Sequence, residues 1–442
     1  MVRAVADGDR RRYTIAAFAI EDRVDFRFLD FDPAGGADAL FISEREYPEG
    51  PPDRWVRGTT QNRDRDFFHQ ERLQPSLDEQ FFSAVYVALE RALQALHDAY
   101  REGPTSPLWD IEAFVISVPG VIVEERRVVQ LPLWNWVMQR EVHWNRPGQE
   151  TTLHFDFVEV LAELIDRIAP GAPKASVTHL TAAPTVLNDT KACATAAYFY
   201  AKRDYESHHH TIFLRAHFGI NACFLEDGRF RTGADHSEAG HVLPRLHPRD
   251  TRFPGCCPYH GNCFEGLMTP RAFRERARPS VDGVPATIPE WGDVYDEVAK
   301  RAFGENLDMA MFDVLVRGDG TGRNALGEEI AAHYIAHLVH MCLLLPPAPE
   351  RVFIGGRFAT ERIVAMVRAN VAKWLNTYPA RQSLQGDLTK TIIRASYSDR
   401  RFIELSGALL YAYASVSAAR TTGSLGILAS AAKVLSGSKT RG

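Results

Sequence analysis

Two apolar runs near the start of the chain predict a β-hairpin. Tyr13–Ile20 and Arg23–Leu29 are rich in aromatic and aliphatic residues, and the polar pair Glu21–Asp22 between them predicts a tight turn. Apolar residues then recur every three or four positions over Ser76–Arg101, the spacing of an amphipathic helix. Ala113–Val118 is almost wholly apolar and ends at a Pro-Gly pair, which indicates a buried strand.

The rest of the chain alternates the same two kinds of element. We predict two strands at Thr211–Ala216 and Ala222–Leu225, and a short strand at Arg351–Ile354 that turns at Gly355–Gly356. Helical spacing marks five further segments, which are Phe157–Ile168, Ala192–Ala201, Ile330–Leu345, Thr360–Leu375 and Ser406–Ser417. Strands and helices that alternate in two halves predict an α/β protein with two lobes.

The same patterns suggest where the lobes begin and end. We predict a small N-terminal α/β lobe over residues 1–187 and a larger α/β lobe over residues 188–400. Residues 401–442 are predicted to form a helical segment that packs back on the first lobe. Residues 40–78 are charged and rich in turn-forming residues, with little periodicity, so we expect a surface insertion there.

Composition excludes several classes of protein. The 442 residues are 45% hydrophobic and 24% charged, as in an ordinary globular protein, and the net charge of −5 lacks the basic excess of a nucleic-acid binder. The longest apolar run, Tyr334–Leu345, is too short and too polar for a membrane span, and the polar first residues do not read as a secretory signal. Three of the six cysteines crowd into one loop, which favours a metal site in a reducing cytoplasmic compartment over a disulfide framework.

That loop carries a candidate metal site. Cys257, His260 and Cys263 lie within seven residues, and His241 precedes them by sixteen. Four nitrogen and sulfur ligands form the closed tetrahedral site of a structural zinc ion. Cys256 and His247 are alternative ligands on spacing alone, and a chance grouping is the remaining reading.

Carboxylates flank the candidate metal site. Glu238 lies three residues before His241, and Glu265 two after Cys263. Alone, each reads as a solvated loop residue, but on a loop held by a metal both favour hydrogen bonding to a polar substrate. Asp189, in the segment VLNDT, reads equally well as a helix N-cap and as a general base.

Histidines form a second pattern, on a predicted helix. His333, His337 and His340 share one helical face. No cysteine or carboxylate joins them in the sequence, so buried or interface histidines are favoured over a metal site.

These motifs together resemble the ROK family of bacterial sugar kinases and repressors, and specifically its zinc-containing fructokinase-like branch. The matching segments are Ser117–Gly120 (SVPG), Asn188–Asp189 (ND), Glu238–His241 (EAGH), His247–Asp250 (HPRD), Cys257–Gly266 (CPYHGNCFEG), Val352–Gly356 (VFIGG) and Leu405–Ala408 (LSGA). The resemblance implies a two-lobed, actin-like (ribonuclease H-like) sugar-kinase fold with a sugar cleft between the lobes. It also implies a homodimer.

The resemblance further implies roles for individual residues. Asp189 would be the general base toward the sugar hydroxyl that attacks the γ-phosphate of ATP–Mg²⁺. The residues implied to bind the sugar are Asn188, Glu238, His241 and Glu265. The residues implied to hold the structural zinc are His241, Cys257, His260 and Cys263. The residues implied to lie against the nucleotide are Gly219, Gly355 and Gly356.

The chain departs from the family at both phosphate loops. Where the family has D-x-G-G-T, Thr14–Asp22 reads TIAAFAIED. Where it has G-T-G-I-G-G-G, His217–Cys223 reads HFGINAC and keeps only Gly219 and Ile220. Glycines let backbone approach phosphate closely, so the bulkier side chains here are expected to fill the triphosphate space.

Two functions follow as hypotheses. The first is an ATP-dependent hexose kinase in which Asp189 is the base. The second is a retired or repurposed ROK-like sugar-binding protein without a working phosphate site. A ROK repressor is not expected, because the residues before Tyr13 leave no room for a helix-turn-helix domain.

Overall fold

The computed structural model describes most of the chain. The described residues are 13–21, 23–31, 40, 56–57, 66–73, 81–100, 108, 111–123, 127–130, 155–169, 184–204, 209–231, 237–279, 287–302, 305–318, 322–344, 348–375, 388–396 and 402–418.

Strands and helices alternate along these residues. The strands are β1 (Tyr13–Ile20), β2 (Arg23–Phe31), β3 (Val56–Arg57), β4 (Asp66–Arg72), β5 (Ala113–Val118), β6 (Val121–Val123), β7 (Arg127–Gln130), β8 (Phe155–Asp156), β9 (Thr185–Asn188), β10 (His210–Ala216), β11 (Ile220–Glu226), β12 (Arg229–Phe230), β13 (Arg351–Gly355) and β14 (Ile392–Arg394). The α-helices are α1 (Phe81–Tyr100), α2 (Phe157–Ile168), α3 (Asp189–Asp204), α4 (Phe264–Met268), α5 (Pro270–Ala277), α6 (Gly292–Ala299), α7 (Glu305–Phe312), α8 (Ala325–Leu344), α9 (Glu361–Leu375), α10 (Leu388–Thr391) and α11 (Ile403–Ala418).

Two larger sheets repeat one topology. In the first, the order is β3-β4-β2-β1-β5-β9; β1 and β2 form an antiparallel hairpin, and β5 and β9 extend it in parallel. In the second, the order is β12-β11-β10-β13-β14; β10 and β11 form the hairpin, and β13 and β14 extend it in parallel. β6, β7 and β8 form a separate small sheet. The predicted α/β class with two halves is confirmed.

Helices α3 and α11 join the two sheets in one hydrophobic core. They pack against each other, α11 also packs on β1 and β5, and α3 packs on β10. The shared buried cluster includes Ile15 and Leu187 from the first sheet, Phe213 and Phe353 from the second, and Leu409 from α11. The last described helix therefore lies on the first sheet.

Strand β4 does not fit the surface insertion expected over residues 40–78. This strand pairs with both β2 and β3, and Phe67 is fully buried. Arg27 on β2 forms a doubly hydrogen-bonded ion pair with Asp66 at 2.9 and 3.1 Å, and both side chains are about 1% exposed. The charged composition that suggested a surface segment therefore includes a buried ion pair.

Helix ends follow local capping chemistry. Phe157–Ile168 begins and ends as predicted, because the Asp156 carboxylate accepts from the backbone N–H of Val158 at 2.9 Å. α9 begins at Glu361, one residue later than predicted. There the hydroxyl of Thr360 accepts from the N–H of Ile363 at 3.2 Å, so Thr360 caps the helix.

Candidate functional site

Four predicted metal ligands meet at one point of the zinc loop, which we define as residues 238–266. His241 Nδ1 lies 3.6 Å from Cys257 Sγ and 3.8 Å from Cys263 Sγ. His260 Nδ1 lies 3.9 Å from Cys257 Sγ, and one ligand atom from each of the four residues lies within 4.8 Å of the others. His241 ends a 3₁₀ turn, and Cys263 caps the N-terminus of α4 through the N–H of Gly266.

The donor set fits zinc. In a tetrahedral site with Zn–S and Zn–N bonds near 2.3 and 2.05 Å, neighbouring sulfur and nitrogen ligands stand about 3.6 Å apart. The contact between the two thiols lowers the pKa of Cys257 and raises the pKa of Cys263, so Cys257 ionises first. Cys256 and His247, the alternative ligands, are not members of this cluster.

The second nitrogen of His241 faces the two predicted substrate carboxylates. Its Nε2 lies 3.3 Å from Glu265 Oε2 and 3.5 Å from Glu238 Oε2. Carboxylates on the far nitrogen of a metal-bound histidine fix its tautomer and orientation. The structure therefore brings Glu238, His241 and Glu265 together, with both carboxylates placed to orient the ring of His241.

Glu265 is held against the backbone of the β10–β11 turn. A Cβ on Gly219 would stand 2.7 Å from Glu265 Oε1, so only glycine admits the carboxylate in this position. Burial raises the pKa of Glu265 to about 7, and His241 acts in the opposite direction. The space beside Gly219, where the resemblance implied a nucleotide, thus contains the Glu265 carboxylate of the zinc loop.

Asn188 and Asp189 stand where β9 runs into α3. The Asn188 amide donates to the carbonyl of Gly120 at 3.0 Å, which ties the SVPG turn to this junction. Side-chain oxygens of Asn188 and Asp189 both accept from the N–H of Thr190, at 2.9 and 2.7 Å. Since α3 begins at Asp189, Asn188 occupies the cap position, and Asp189 accepts from the next N–H of the first turn.

Arg215, on β10, is a site residue that sequence reasoning missed. Its guanidinium forms ion pairs with Asp189, with Glu21 at 2.7 Å and with Glu404 at 2.5 Å, and its side chain is only 9% exposed. Burial alone would lower the Arg215 pKa, but Glu404 and Glu21 outweigh it and raise the pKa, so the charge is retained. An arginine inside the apolar strand HTIFLRA was the available signal, because such a charge must find buried partners.

Side chains at the β10–β11 turn and at the turn after β13 contact one another. Arg357 Nε donates to His217 Nε2 at 3.0 Å, and the Arg357 guanidinium lies 5.0 Å from the centre of the Phe218 ring. Gly356 has φ of 91°, and a Cβ there would stand 2.2 Å from the carbonyl oxygen of Ala216. Gly356 is thus required by the protein's own packing, whereas a Cβ at Gly219 would meet only the movable side chain of Glu265.

Comparison with known proteins decides the family. A family model described as ROK family matches residues 174–411. This chain belongs to the ROK family. Fructokinase from Zymomonas mobilis is 31% identical to it over 171 residues, which are 38% of this chain and 45% of that protein. The chain therefore aligns with less than half the length of this relative.

Solved ROK structures share the fold. A ROK family transcriptional regulator, a homologue of the E. coli MLC protein, superposes with a TM-score of 0.51 at 13% identity over 96% of this chain and 79% of that one. A ROK family glucokinase from Streptomyces griseus, in complex with glucose and AMPPNP, gives 0.50 at 15% identity over 90% and 99%. The predicted actin-like, two-lobed fold is confirmed. Among the described helices, none combines the length and apolar character that a bilayer crossing requires.

Within the zinc loop of this ROK chain, the HPRD segment is held by contacts to helices α5 and α8. Arg276 on α5 forms a buried, doubly hydrogen-bonded ion pair with Asp250 at 2.7 and 2.8 Å. The Tyr334 hydroxyl donates to Asp250 at 2.6 Å and accepts from the N–H of His247 at 3.1 Å. These contacts explain why His247 is buried without being a zinc ligand.

Helix α8 presents its histidines to the same region. His333 lies with its ring centre 5.1 Å from that of His247, and the rings of His333, His337 and His340 all lie within 6 Å of Trp374 on α9. Burial lowers the pKa of each of these four histidines. The three histidines of α8 are half-buried, whereas His247 is buried.

This histidine cluster predicts a loss of stability in acid. A histidine whose folded-state pKa is lowered takes up a proton first in the unfolded chain, so stability should fall as the pH drops below about 6.5. His337→Phe removes a buried nitrogen without a protein partner and should flatten this decline. Urea unfolding between pH 5 and 8 measures it, with His97→Gln on α1 as control; equal pH dependence in wild type and His337→Phe would contradict the prediction.

Proposed function

We propose that this ROK protein binds a hexose or a related sugar beside the zinc loop and does not phosphorylate it with ATP. Glu238, Glu265 and the ring of His241 converge at one place. Carboxylates accept directional, charge-assisted hydrogen bonds from hydroxyl groups, which a sugar offers in number. The fructokinase and glucokinase relatives act on sugars by name, which supports the same ligand class for this chain.

The ion pair between Arg215 and Asp189 is the main argument that the protein does not phosphorylate the sugar. A general base must accept a proton from the attacking hydroxyl, but the Asp189 carboxylate already accepts from a guanidinium and from the N–H of Thr190. Glu21 and Glu404 bind the same guanidinium, so its position is set by three carboxylates. Asp189 therefore acts in the proposal as an anchor for Arg215 and as a helix cap.

The side chains at the turns that follow β10 and β13 also argue against phosphorylation by ATP. Phosphoryl transfer depends on backbone and metal contacts that position and neutralise the phosphates. Here His217, Phe218 and Arg357 pack together at the two turns that would provide those contacts. Neither turn offers the run of glycines that a triphosphate requires.

An ATP-dependent hexose kinase is the second candidate. Asp189 is present at the β9–α3 junction, and the fructokinase and glucokinase relatives are kinases by name. In that case Arg215 would leave Asp189 when ATP and Mg²⁺ bind. Phosphoryl transfer to the sugar would depend on that movement.

Zinc has a structural part in either candidate. His241, Cys257, His260 and Cys263 would hold the ion, and four protein ligands leave no open position for catalysis. A homodimer in the cytosol completes the proposal. The absence of a disulfide among all six cysteines supports that reducing location.

Calorimetry separates the two candidates. We expect a neutral or derivatised hexose to bind, and Glu265→Gln to weaken it about tenfold or more, since hydrogen bonds to charged groups contribute about 1.5–3 kcal/mol. ATP–Mg²⁺ at millimolar concentration should give no heat of binding with or without sugar. Nucleotide binding in the wild type would contradict the proposal and favour the kinase.

Gly219→Ala should weaken sugar binding without removing zinc. Its Cβ would enter the space of Glu265 Oε1, and the flexible carboxylate can move, so we expect a sugar affinity lower by about tenfold and little change in unfolding. Gly292→Ala on α6 is the control, because its Cβ meets nothing within 4 Å. Unchanged sugar affinity in Gly219→Ala, measured by calorimetry, would mean that Glu265 does not contact the ligand.

A further inference from the structure

The zinc loop exposes a group of apolar side chains. The described part of the chain has five exposed large hydrophobic residues, and three of them, Val242, Leu243 and Tyr259, lie on this loop. Their exposed fractions are 38%, 62% and 44%. Single exposed hydrophobic residues are ordinary, whereas several of them in one place are typical of a binding surface.

These three residues, which we call the apolar rim, flank His241. Val242 and Leu243 follow His241 directly in the chain, and the ring centre of Tyr259 lies 6.0 Å from that of His241. The carbonyl of Val242 accepts from the N–H of Phe264 at 3.0 Å. That hydrogen bond holds the apolar rim against the start of α4.

The apolar rim and the predicted sugar site meet at His241. Nε2 of His241 lies 3.5 Å from Glu238 Oε2, and the Glu238 side chain is 54% exposed. One imidazole ring joins this contact to the Tyr259 contact, so the Tyr259 ring centre lies within about 11 Å of the Glu238 oxygen. A ligand made of two linked six-membered rings can therefore reach both.

A surface with carboxylates at one end and apolar side chains at the other fits a ligand with the same two parts. Carboxylates accept hydrogen bonds from the hydroxyl groups of a sugar. Exposed leucine and valine side chains gain free energy when an apolar group covers them, and a tyrosine ring offers a rigid face for stacking. A free hexose has hydroxyl groups on most of its carbons and lacks the apolar part, which a glycoside supplies.

A second copy of the chain is the competing occupant of the apolar rim. The centre of a protein–protein interface is usually depleted of carboxylates. Here Glu238 and Glu265 both lie at Nε2 of His241, directly beside the apolar rim. Their position favours a ligand that brings hydroxyl groups over a second protein surface.

We propose that the apolar rim binds the aglycone of a glycoside whose sugar ring the zinc-loop carboxylates bind. The ligand class is then a hexose glycoside with an aromatic or other apolar ring as its aglycone. This inference rests on the proposed function for its sugar half. The aglycone half stands on the exposure of Val242, Leu243 and Tyr259 and on their position beside His241.

Calorimetry with matched glycosides tests the inference on the full chain. The probes are glucose and fructose, each as the free sugar, the methyl glycoside and the phenyl glycoside. For the hexose that binds, the phenyl glycoside should bind at least about tenfold more tightly than the methyl glycoside, because its ring covers the apolar rim. Leu243→Ser should remove most of this gain, whereas Val87→Ser, at another exposed apolar residue on α1, should keep it.

Two variants at Tyr259 separate ring stacking from damage to the zinc site. Tyr259→Phe keeps the aromatic ring and should keep the gain of the phenyl glycoside, whereas Tyr259→Ala should lose most of it. Elemental analysis confirms that each variant has the zinc content of the wild type, since His260 is the next residue. Equal gains in two variants with full zinc would overturn the role of the Tyr259 ring.

Failure of the inference and failure of the proposed function give different results. Phenyl glycosides that bind no more tightly than free hexose or methyl glycosides would overturn the aglycone site and leave sugar binding intact. No binding of any of the six probes would overturn the proposed function, and the inference with it. A phenyl gain that survives Leu243→Ser, while light scattering shows a smaller assembly, would overturn the inference and identify the apolar rim as a contact between copies.

Discussion

Cys257→Ser is expected to lower the affinity for zinc by more than about 100-fold and the midpoint of thermal unfolding by on the order of 10 °C. Cys257 is one of four ligands, and a backbone bridge to Gly261 closes the turn that also carries His260. Serine keeps the size of the side chain but is a poor zinc ligand at neutral pH. The loop that orients Glu238 and Glu265 would lose its bound ion, so sugar binding should be lost with it.

Cys256→Ser is the matched control for this experiment. Cys256 is the adjacent cysteine, but it is half-buried and outside the ligand cluster. Its substitution should leave one zinc per chain, measured by elemental analysis and by competition with a chromophoric chelator. Full zinc content in Cys257→Ser, or equal loss in the two variants, would contradict the assigned ligand set.

Arg215→Met is expected to destabilise the fold by about 3–5 kcal/mol, the usual consequence of removing one partner from a buried ionic group. The guanidinium is the cation shared by Asp189, Glu21 and Glu404. Because methionine fills a similar volume, the loss of stability measures the effect of leaving the three carboxylates without their cation. The three carboxylates lie on the β1–β2 turn, α3 and α11. Equilibrium unfolding in denaturant measures the change in the free energy of unfolding.

Two further variants make this result specific. Adding Glu404→Gln to Arg215→Met removes one of the stranded charges and should restore part of the stability, which a double-mutant cycle quantifies. Arg301→Gln breaks an exposed pair with Glu297 and should cost less than about 1 kcal/mol. A loss below about 1 kcal/mol in Arg215→Met would mean that the arginine is not the shared cation.

Local spacing predicted the parts of the site that depend on short stretches of chain. Cys257, His260 and Cys263 lie close together because their turn is short, and His241 joins them from the preceding 3₁₀ turn. Helix Phe157–Ile168 was predicted to the residue, since its apolar spacing is a local signal.

Long-range contacts limited the rest of the prediction. Arg215 meets Glu21 across 194 positions and Glu404 across 189, and no periodicity encodes such pairings. The family resemblance assigned Gly219 and Gly356 to the nucleotide, and glycine at a position shows only that something approaches the backbone closely. The neighbours in the structure are Glu265 and the carbonyl of Ala216, which sequence could not distinguish from phosphate.

Long-range contacts also explain why the buried position of β4 was not predicted. Its charged residues resemble a solvated segment until their partners are known, and the partner of Asp66 is Arg27, 39 positions earlier. The surface prediction assumed that charged residues are exposed. That assumption does not hold for Asp66, because its charge is buried in an ion pair with Arg27.

Release of ADP under saturating sugar tests the central claim most directly. With ATP, Mg²⁺ and a sugar that calorimetry shows to bind, we predict the same rate of ADP release with sugar as without it, in the wild type and in Asp189→Asn alike. Sugar-dependent release of ADP by the wild type that Asp189→Asn abolishes would contradict the account and identify the protein as a working sugar kinase.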